Sequence, residues 1–180
     1  SRYFQMTRSW AIRNATLPGR DGRWRVNVCA DHIASVEHDA PGDRAGADGP
    51  AWNADGRLVS SAFVDPHIHV DKALTSDRVS DGADVAGLSE AIRAVRLLKA
   101  DFTVEDVAAR ARRSLEMGLA HGTVTVRTNC EVDRYVGLRA VKGIALAAQA
   151  MAGKVDVQVT AFPQEGWFET AGTLEDGAGS

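Results

Sequence analysis

Several features are scarce in this sequence, and each scarcity excludes a class of protein. Among its 180 residues there are two cysteines, Cys29 and Cys130, whose spacing suggests neither a Cys-x-x-Cys site nor a disulfide framework. The 21 basic residues do not outnumber the 24 acidic ones, which argues against nucleic-acid binding because that requires a basic face. No apolar run approaches the ~20 residues of a membrane span. We therefore expect a cytoplasmic protein with neither a nucleic-acid nor a membrane partner.

The first 60 residues have the pattern of short strands separated by turns. Runs at residues 10–17, 23–29 and 32–37 are rich in β-forming residues, and the second alternates between polar and apolar side chains (Arg-Trp-Arg-Val-Asn-Val-Cys). Asp-Gly pairs, which favour turns, lie between or after these runs. The pattern predicts a small antiparallel β-rich subdomain over residues 1–60.

Beyond residue 60, strands and helices alternate. The pattern predicts strands over residues 61–65, 123–128 and 155–162, and helices over 84–99, from Thr103 onward and over 135–152. Thr103 is followed three residues later by Asp106, which is typical of a capped helix start. Such alternation predicts an α/β fold with parallel strands. A closed barrel and an open doubly wound sheet both begin this way. An open nucleotide-binding sheet is disfavoured because no glycine-rich phosphate loop follows the first strand.

The segment over residues 63–72, Phe-Val-Asp-Pro-His-Ile-His-Val-Asp-Lys, is the most informative part of the chain. Its histidines, His67 and His69, are one residue apart and would point to the same side of an extended chain. Imidazole is a common ligand of zinc and iron(II), so the pair predicts two metal ligands. Asp65 and Asp71 lie close enough in sequence to orient the ring N–H groups. The alternative is a solvated strand end carrying two incidental histidines.

Polar residues also follow the other two predicted strands. Arg127 and Asn129 come at the end of the second strand, and Gln164 comes at the end of the third. Parallel α/β folds bind ligands at the carboxyl ends of their strands. Each residue alone has a structural explanation, such as an ion pair at Arg127 or a turn at Gln164. Their coincidence with the histidine pair predicts a ligand site.

Three runs resemble the amidohydrolase superfamily, and two of them resemble its cytosine deaminase branch. They are residues 63–72, residues 122–128 (Gly-Thr-Val-Thr-Val-Arg-Thr) and residues 161–166 (Ala-Phe-Pro-Gln-Glu-Gly). The resemblance implies the N-terminal part of a metal-dependent (β/α)8 (TIM) barrel preceded by a small β-sandwich subdomain. Residues 1–60 would form the sandwich-like subdomain, 61–168 the first three strands and helices of the barrel, and 169–180 a frayed tail. A complete barrel needs roughly 250 residues, so the barrel would be incomplete in this chain.

The resemblance also implies a chemistry. One divalent metal ion, iron or zinc, would be held by His67 and His69 and would activate a water molecule for hydrolysis of a C–N bond. Gln164 and Asn129 would bind a small heterocyclic substrate such as a nucleobase. Asp65, Asp71 and Arg127 would hold the metal-binding and substrate-binding residues in position without binding the metal or the substrate themselves. The implied reaction is deamination of cytosine or a related heterocycle, within pyrimidine metabolism. Alternatives are hydrolysis of another cyclic amide or an N-substituted triazine, or a catalytically incomplete fragment that acts only through a partner chain.

The sequence also departs from the family pattern. The family completes its metal site with a later histidine and aspartate, and a glutamate there moves protons. This chain has none of these positions, so no catalytic residue is assigned and the chain alone is expected to be inactive. We expect it to be the N-terminal portion of a longer enzyme, or to be completed by a second copy in a homo-oligomer. Asn129 replaces a family histidine, which leaves the exact substrate open. Cys130 and His121 are expected to have structural roles.

Overall fold

A computed structural model of the protein describes residues 9–40, 49–78 and 96–164. The chain divides into two compact units on either side of the Ser61–Ala62 bond. Residues 96–99 are helical, but most of the helix predicted over 84–99 lies outside the described residues, as do Glu165 and the tail predicted over 169–180. Within the described ranges, no helix is both long and apolar enough to cross a membrane.

The first unit contains a four-stranded sheet with the order β3-β2-β1-β4. Its strands are β1 (Ser9–Leu17), β2 (Arg20–Cys29), β3 (His32–His38) and β4 (Ala51–Asn53). The first three strands pair antiparallel, as the sequence predicts. The prediction of an antiparallel unit is wrong for β4, which pairs parallel with β1. The connection from β3 to β4 is long enough to bring β4 to the opposite edge of the sheet, whereas a short hairpin would have kept it beside β3.

The second unit contains a three-stranded parallel sheet with the order β5-β6-β7. Its strands are β5 (Phe63–Ile68), β6 (Thr123–Glu131) and β7 (Asp156–Phe162). The described residues of this unit also form the helices α1 (Val104–Ala120) and α2 (Arg139–Ala150). A short 3-10 turn, Ser76–Arg78, follows β5. The parallel pairing agrees with the prediction from the alternation of strands and helices. It places the carboxyl ends of all three strands at one edge of the sheet.

Both ends of α1 follow from local chemistry. The Thr103 hydroxyl accepts a hydrogen bond from the Asp106 backbone N–H at 3.1 Å, which is the cap that the sequence predicts. At the other end, Gly122 has a φ of +93°, a conformation that favours glycine. A methyl group at Gly122 would also lie 3.4 Å from the Phe63 ring. The helix therefore ends where the chain turns directly into β6.

The start of α2 and the end of β6 differ from the sequence prediction. The helix begins four residues later than expected, because the Asp133 carboxylate accepts the backbone N–H groups of Tyr135 and Val136 and holds this segment in turns. Strand β6 continues to Glu131, because its pairing with β7 persists to Phe162. Glu131 thus becomes part of the sheet edge where the sequence-predicted site lies.

One face of the parallel sheet packs against the two helices. The core includes Val126 and Cys130 of β6, and its other buried members include Val107, Ala111 and Leu115 of α1 and Ile144 and Ala147 of α2. Because side chains alternate along a strand, Arg127, Asn129 and Glu131 lie on the opposite face of β6. The polar site residues and the apolar core therefore occupy different faces of the same strand.

The two helices approach closely at Gly143 of α2. A Cβ atom added there would lie 2.7 Å from Cβ of Val107 and 2.8 Å from the carbonyl oxygen of Val104. Real Cβ atoms essentially never approach backbone or branched side chains so closely. The helix pair therefore depends on the missing side chain of Gly143.

We predict that Gly143→Ala lowers the free energy of unfolding by about 1–3 kcal/mol, because overpacking outweighs alanine's advantage in a helix. Gly118→Ala is the matched control, since its Cβ would lie 3.6 Å from the Thr123 side chain, an ordinary contact. That variant should gain up to about 1 kcal/mol. Urea denaturation followed by circular dichroism measures both. A Gly143→Ala protein as stable as the Gly118→Ala protein would contradict the close approach.

Candidate metal centre

The two candidate metal ligands lie next to each other at the end of β5. The ring centroids of His67 and His69 are 5.4 Å apart, with the rings inclined at 63°. His67 is exposed and His69 is half-buried. Zinc is bound by imidazole nitrogens at about 2.0–2.1 Å, and rings this close are compatible with one shared ion.

His69 has the chemical character of a ligand. Its Nδ1 atom is buried and has no hydrogen-bond partner among the described residues, whereas the ring also interacts with the backbone of Asn129. Burial lowers the pKa of His69, and the nearby Lys72 ammonium lowers it further, although the Asp71 carboxylate opposes this. The neutral ring is therefore favoured, and neutral imidazole is the form that binds metals. A buried ring nitrogen without a partner is unfavourable unless something binds it, so the site fits a metal ion.

The described residues supply only part of a metal site. They contain no cluster of three or more histidine, cysteine, aspartate or glutamate side chains that could hold an ion. Catalytic zinc is normally held by three protein ligands and a water molecule. Within the described residues, His67 and His69 are therefore two candidate ligands that do not make a complete metal site.

The two flanking aspartates shape the backbone around the histidines. Asp65 Oδ1 accepts the backbone N–H of His67 at 3.1 Å, and Asp71 Oδ2 accepts the backbone N–H of Glu131 at 3.0 Å. Both hydrogen bonds go to the backbone rather than to an imidazole ring. The orientation of the rings by these carboxylates stays a prediction. Asp71 nevertheless connects the loop after β5 to the end of β6.

Sequence reasoning missed a buried cluster of charges beside the histidines. Lys99 Nζ lies 2.7 Å from Glu131 Oε1 and 2.7 Å from Asp133 Oδ2. The other Glu131 oxygen, Oε2, accepts a hydrogen bond from Lys72 Nζ at 2.9 Å. Glu131 and Asp133 are two acidic residues separated by one residue near the end of a predicted strand. This spacing, like that of the histidine pair, could have indicated side chains that lie close together.

The cluster is balanced in charge, with two lysines facing two carboxylates. Burial opposes the charge on Lys99, but its hydrogen bonds to Asp133 and Glu131 outweigh burial and raise its pKa. The Lys99 ammonium, helped by the Val136 and Tyr135 amides, holds the pKa of Asp133 low despite burial. Burial raises the pKa of Glu131, while two ammonium groups within 2.9 Å favour its carboxylate form. Each carboxylate of the cluster is thus paired with at least one lysine side chain.

The residues that the sequence predicts around the substrate differ in whether they contact this charge cluster. The Gln164 side-chain oxygen accepts a hydrogen bond from Lys72 Nζ, so Gln164 contacts the charge cluster. Asn129 is half-buried on the same face of β6 as Glu131. Arg127 is exposed and donates to the Gln158 side-chain oxygen at 3.1 and 3.2 Å, which links β6 to β7. The structure thus brings Gln164 to the charge cluster and gives Arg127 a partner on the neighbouring strand.

Two further residues have the structural roles that the sequence suggests. Burial raises the pKa of the Cys130 thiol far above its usual value, so the thiol stays protonated and is a poor nucleophile. The His121 ring lies 2.8 Å from the Met117 carbonyl oxygen at the end of α1. Neither residue belongs to the candidate centre.

The loop that follows β5 is attached to α1 by arginine. Arg110 Nη1 donates to the carbonyl oxygens of Asp71 and Ala73 at 2.7 and 2.9 Å. The Asp106 carboxylate holds the same guanidinium at 2.8 Å and also pairs with Arg78 at 2.6 Å. The segment carrying Asp71 and Lys72 is therefore fastened to the helix at several points.

No family model matches this sequence. N-isopropylammelide isopropyl amidohydrolase of Pseudomonas sp. (strain ADP) is 30% identical over 168 residues, which are 87% of this chain and 39% of that protein.

Solved structures agree with this relationship. The 5-methylcytosine deaminase of Klebsiella pneumoniae, solved with 5-fluorocytosine, is 31% identical with a TM-score of 0.80, over 92% of this chain and 39% of that enzyme. N-isopropylammelide isopropylaminohydrolase of Burkholderia multivorans ATCC 17616 supports the fold, with 24% identity and a TM-score of 0.75 over 94% of this chain and 41% of that one.

The chain's homologues are therefore enzymes of the amidohydrolase superfamily, and the resemblance seen in the sequence is confirmed. Its structural neighbours are TIM-barrel enzymes, which is consistent with the N-terminal portion of such a fold, while the sandwich subdomain and the incomplete barrel stay predictions. The chain spans about 39% of the length of the curated relative that it matches. The correspondence covers the N-terminal part of these enzymes.

The fastening of the loop leads to a prediction about pH. The Arg78 and Arg110 guanidinium groups lower the pKa of Asp106 from 3.8 to about 2. A carboxylate with a lowered pKa stabilises the folded state above its unfolded-state pKa and loses this contribution as the pH falls through its folded-state value. Asp106→Asn should therefore lower the free energy of unfolding at pH 7 by about 1 kcal/mol, allowing for solvent screening.

Urea denaturation of the Asp106→Asn protein between pH 7 and about pH 2 tests this expectation. The deficit relative to the unchanged protein should shrink below about pH 4 and vanish near pH 2. Glu116→Gln is the control, because Glu116 pairs with Arg112 on the exposed surface of the same helix. A deficit that stays constant over the whole pH range would rule out the carboxylate charge as its cause.

Proposed function

We propose that this chain forms the N-terminal part of a metal-dependent hydrolase of C–N bonds that deaminates cytosine or a related heterocycle. The observation that carries the proposal is the pair of imidazoles at the end of β5, one with a buried, unpartnered ring nitrogen. The identity of 31% with a 5-methylcytosine deaminase supports the cytosine-like substrate. A cytoplasmic location and a place in pyrimidine metabolism remain expectations that go with this assignment.

The proposed organisation follows the three ranges expected from the sequence. Residues 1–60 would be the small β-sandwich subdomain, residues 61–168 the first three strands and helices of an incomplete barrel, and residues 169–180 a frayed tail. The separate four-stranded sheet and the parallel order β5-β6-β7 support this arrangement. Remaining strands would come from the rest of a longer protein or from a partner chain.

His67 and His69 are the residues that would hold the divalent metal, iron or zinc. When bound, such an ion supplies a water molecule that is activated near neutral pH. The remaining ligands, expected to be a histidine and an aspartate, and the glutamate that moves protons are not assigned to residues of this chain. A second copy of the chain in a homo-oligomer is one possible source of them.

The chain's own residues would bind and orient the heterocycle. Gln164 and Asn129 would hydrogen-bond its polar edge at the carboxyl ends of β6 and β7. The Phe162 ring contacts the His69 ring at a centroid distance of 5.3 Å and would exclude water from one side of the pocket. Arg127 would act indirectly, because its hydrogen bonds to Gln158 hold β6 and β7 together beneath the substrate.

A second candidate reaction is removal of an alkylamine from an N-substituted triazine. The observation that favours it is the 30% identity with N-isopropylammelide isopropyl amidohydrolase. Asn129 also replaces the histidine expected from the cytosine deaminase pattern, which changes the hydrogen bonds offered to the ring. A panel containing cytosine, 5-methylcytosine and N-isopropylammelide distinguishes the two reactions by the product released, ammonia or isopropylamine. A chain that acts only through a partner would release neither without that partner.

We predict that His67→Ala and His69→Ala each abolish metal binding and, with it, hydrolysis. The test uses the protein produced from its own gene, with bound metal measured by elemental analysis and amine release measured by a coupled assay. His121→Ala is the matched control, since its ring lies on the Met117 carbonyl and away from the pair.

The unchanged protein and the control should retain about one iron or zinc per chain. Both histidine variants should retain almost none, because loss of one imidazole removes a direct ligand. Stoichiometric metal in both variants would refute the assignment of these residues as ligands.

A further inference from the structure

We propose that Lys72 is a positioning residue that sets the orientation of the Gln164 side-chain amide, so that Gln164 offers its NH2 group to a hydrogen-bond acceptor on the substrate. The identity of the substrate rests on the function proposed above, whereas the orientation of the amide rests on contacts within this chain. Lys72 would thus contribute to specificity without binding the metal of the proposed centre.

The contact between Lys72 and Gln164 determines which way the amide faces. Lys72 Nζ donates hydrogen bonds to the Gln164 side-chain oxygen and to Glu131 Oε2. An ammonium group has three donors and no acceptor, so the amide atom facing it must be oxygen. The NH2 group of Gln164 then points away from Lys72, and it has no partner among the described residues. Without such a donor, the two ends of the amide could exchange places by rotation.

Lys72 is itself held in place from several sides. Its side chain is 13% exposed, and Glu131, its ion-pair partner, is 1% exposed. The Phe162 ring lies 5.9 Å from Nζ, within the range of a cation–π interaction. On the far side, Lys99 holds the second oxygen of Glu131 at 2.7 Å. The ammonium group therefore has little freedom to leave Gln164.

The orientation of the Gln164 amide determines which chemical groups on the substrate can form a hydrogen bond with it. An NH2 group binds a carbonyl oxygen or an unprotonated ring nitrogen, and it leaves a ring N–H without a partner. If Lys72 were replaced by an apolar residue, Glu131 Oε2 would lose its donor. The Gln164 NH2 group could then turn toward Glu131, and the substrate would meet the amide oxygen instead.

Three substitutions test this role in the protein produced from its own gene. Lys72→Met should reduce kcat/KM for cytosine about tenfold, mainly through KM, because a well-oriented hydrogen bond contributes roughly this much. Lys72→Arg should restore most of the loss, because guanidinium also has donors only. Lys154→Met, a change at an exposed lysine, should leave both constants unchanged. An equal loss in the Arg and Met variants would overturn the proposal.

A second measurement does not depend on catalysis. The side-chain NH2 resonances of Gln164, identified by their absence in Gln164→Leu, should shift in Lys72→Met and remain close to their original positions in Lys72→Arg. Unchanged resonances in Lys72→Met would overturn the proposal whatever the activity. If the unchanged protein hydrolyses none of the heterocycles but the resonances behave as expected, the proposed function fails and the positioning role stands.

Discussion

The second unit depends most on one set of interactions, which are the ion pairs made by the buried ammonium group of Lys99. Its side chain is 2% exposed and lies 2.7 Å from carboxylate oxygens of both Glu131 and Asp133. Removing one member of a buried ion pair typically costs about 3–5 kcal/mol, because the remaining charge is left unpaired. Without Lys99, Asp133 would lose its ion-pair partner, whereas Glu131 would keep Lys72. Asp133 also caps the turns that precede α2, and Glu131 holds Lys72. One cation therefore connects the start of a helix to the candidate site.

The candidate site has two layers that differ in burial and in role. The outer layer is the exposed imidazole of His67 and the half-buried imidazole of His69, which are suited to binding a ligand. The inner layer is the charge cluster, which is buried and satisfied by partners within the same unit. Hydrogen bonds from Arg110 to the loop after β5 reinforce this inner layer from the side of α1. Buried support of this kind behind His67 and His69 would suit the proposed metal centre, because metal ligands in proteins are held in place by surrounding hydrogen bonds.

Local patterns predicted the features that depend on local chemistry. The alternation of strands and helices gave the parallel sheet, Thr103 gave the start of α1, and the i, i+2 spacing gave the neighbouring rings of His67 and His69. The spacing of Glu131 and Asp133 marks two acids on one strand end, but their lysine partners are 32 and 59 positions away from Glu131, so no local pattern identifies the ion pairs. Strand β4 escaped prediction for a similar reason, since its parallel partner is set by a long connection rather than by a turn.

The most direct test of the account is a crystal structure of the protein produced from its own gene, grown with zinc and measured at the zinc absorption edge. We expect one anomalous peak about 2.0–2.1 Å from a ring nitrogen of both His67 and His69. The same map should contain the ligands that this part of the chain does not supply. A peak elsewhere, or imidazoles with no metal between them at saturating zinc, would contradict the assignment of a metal centre to the end of β5.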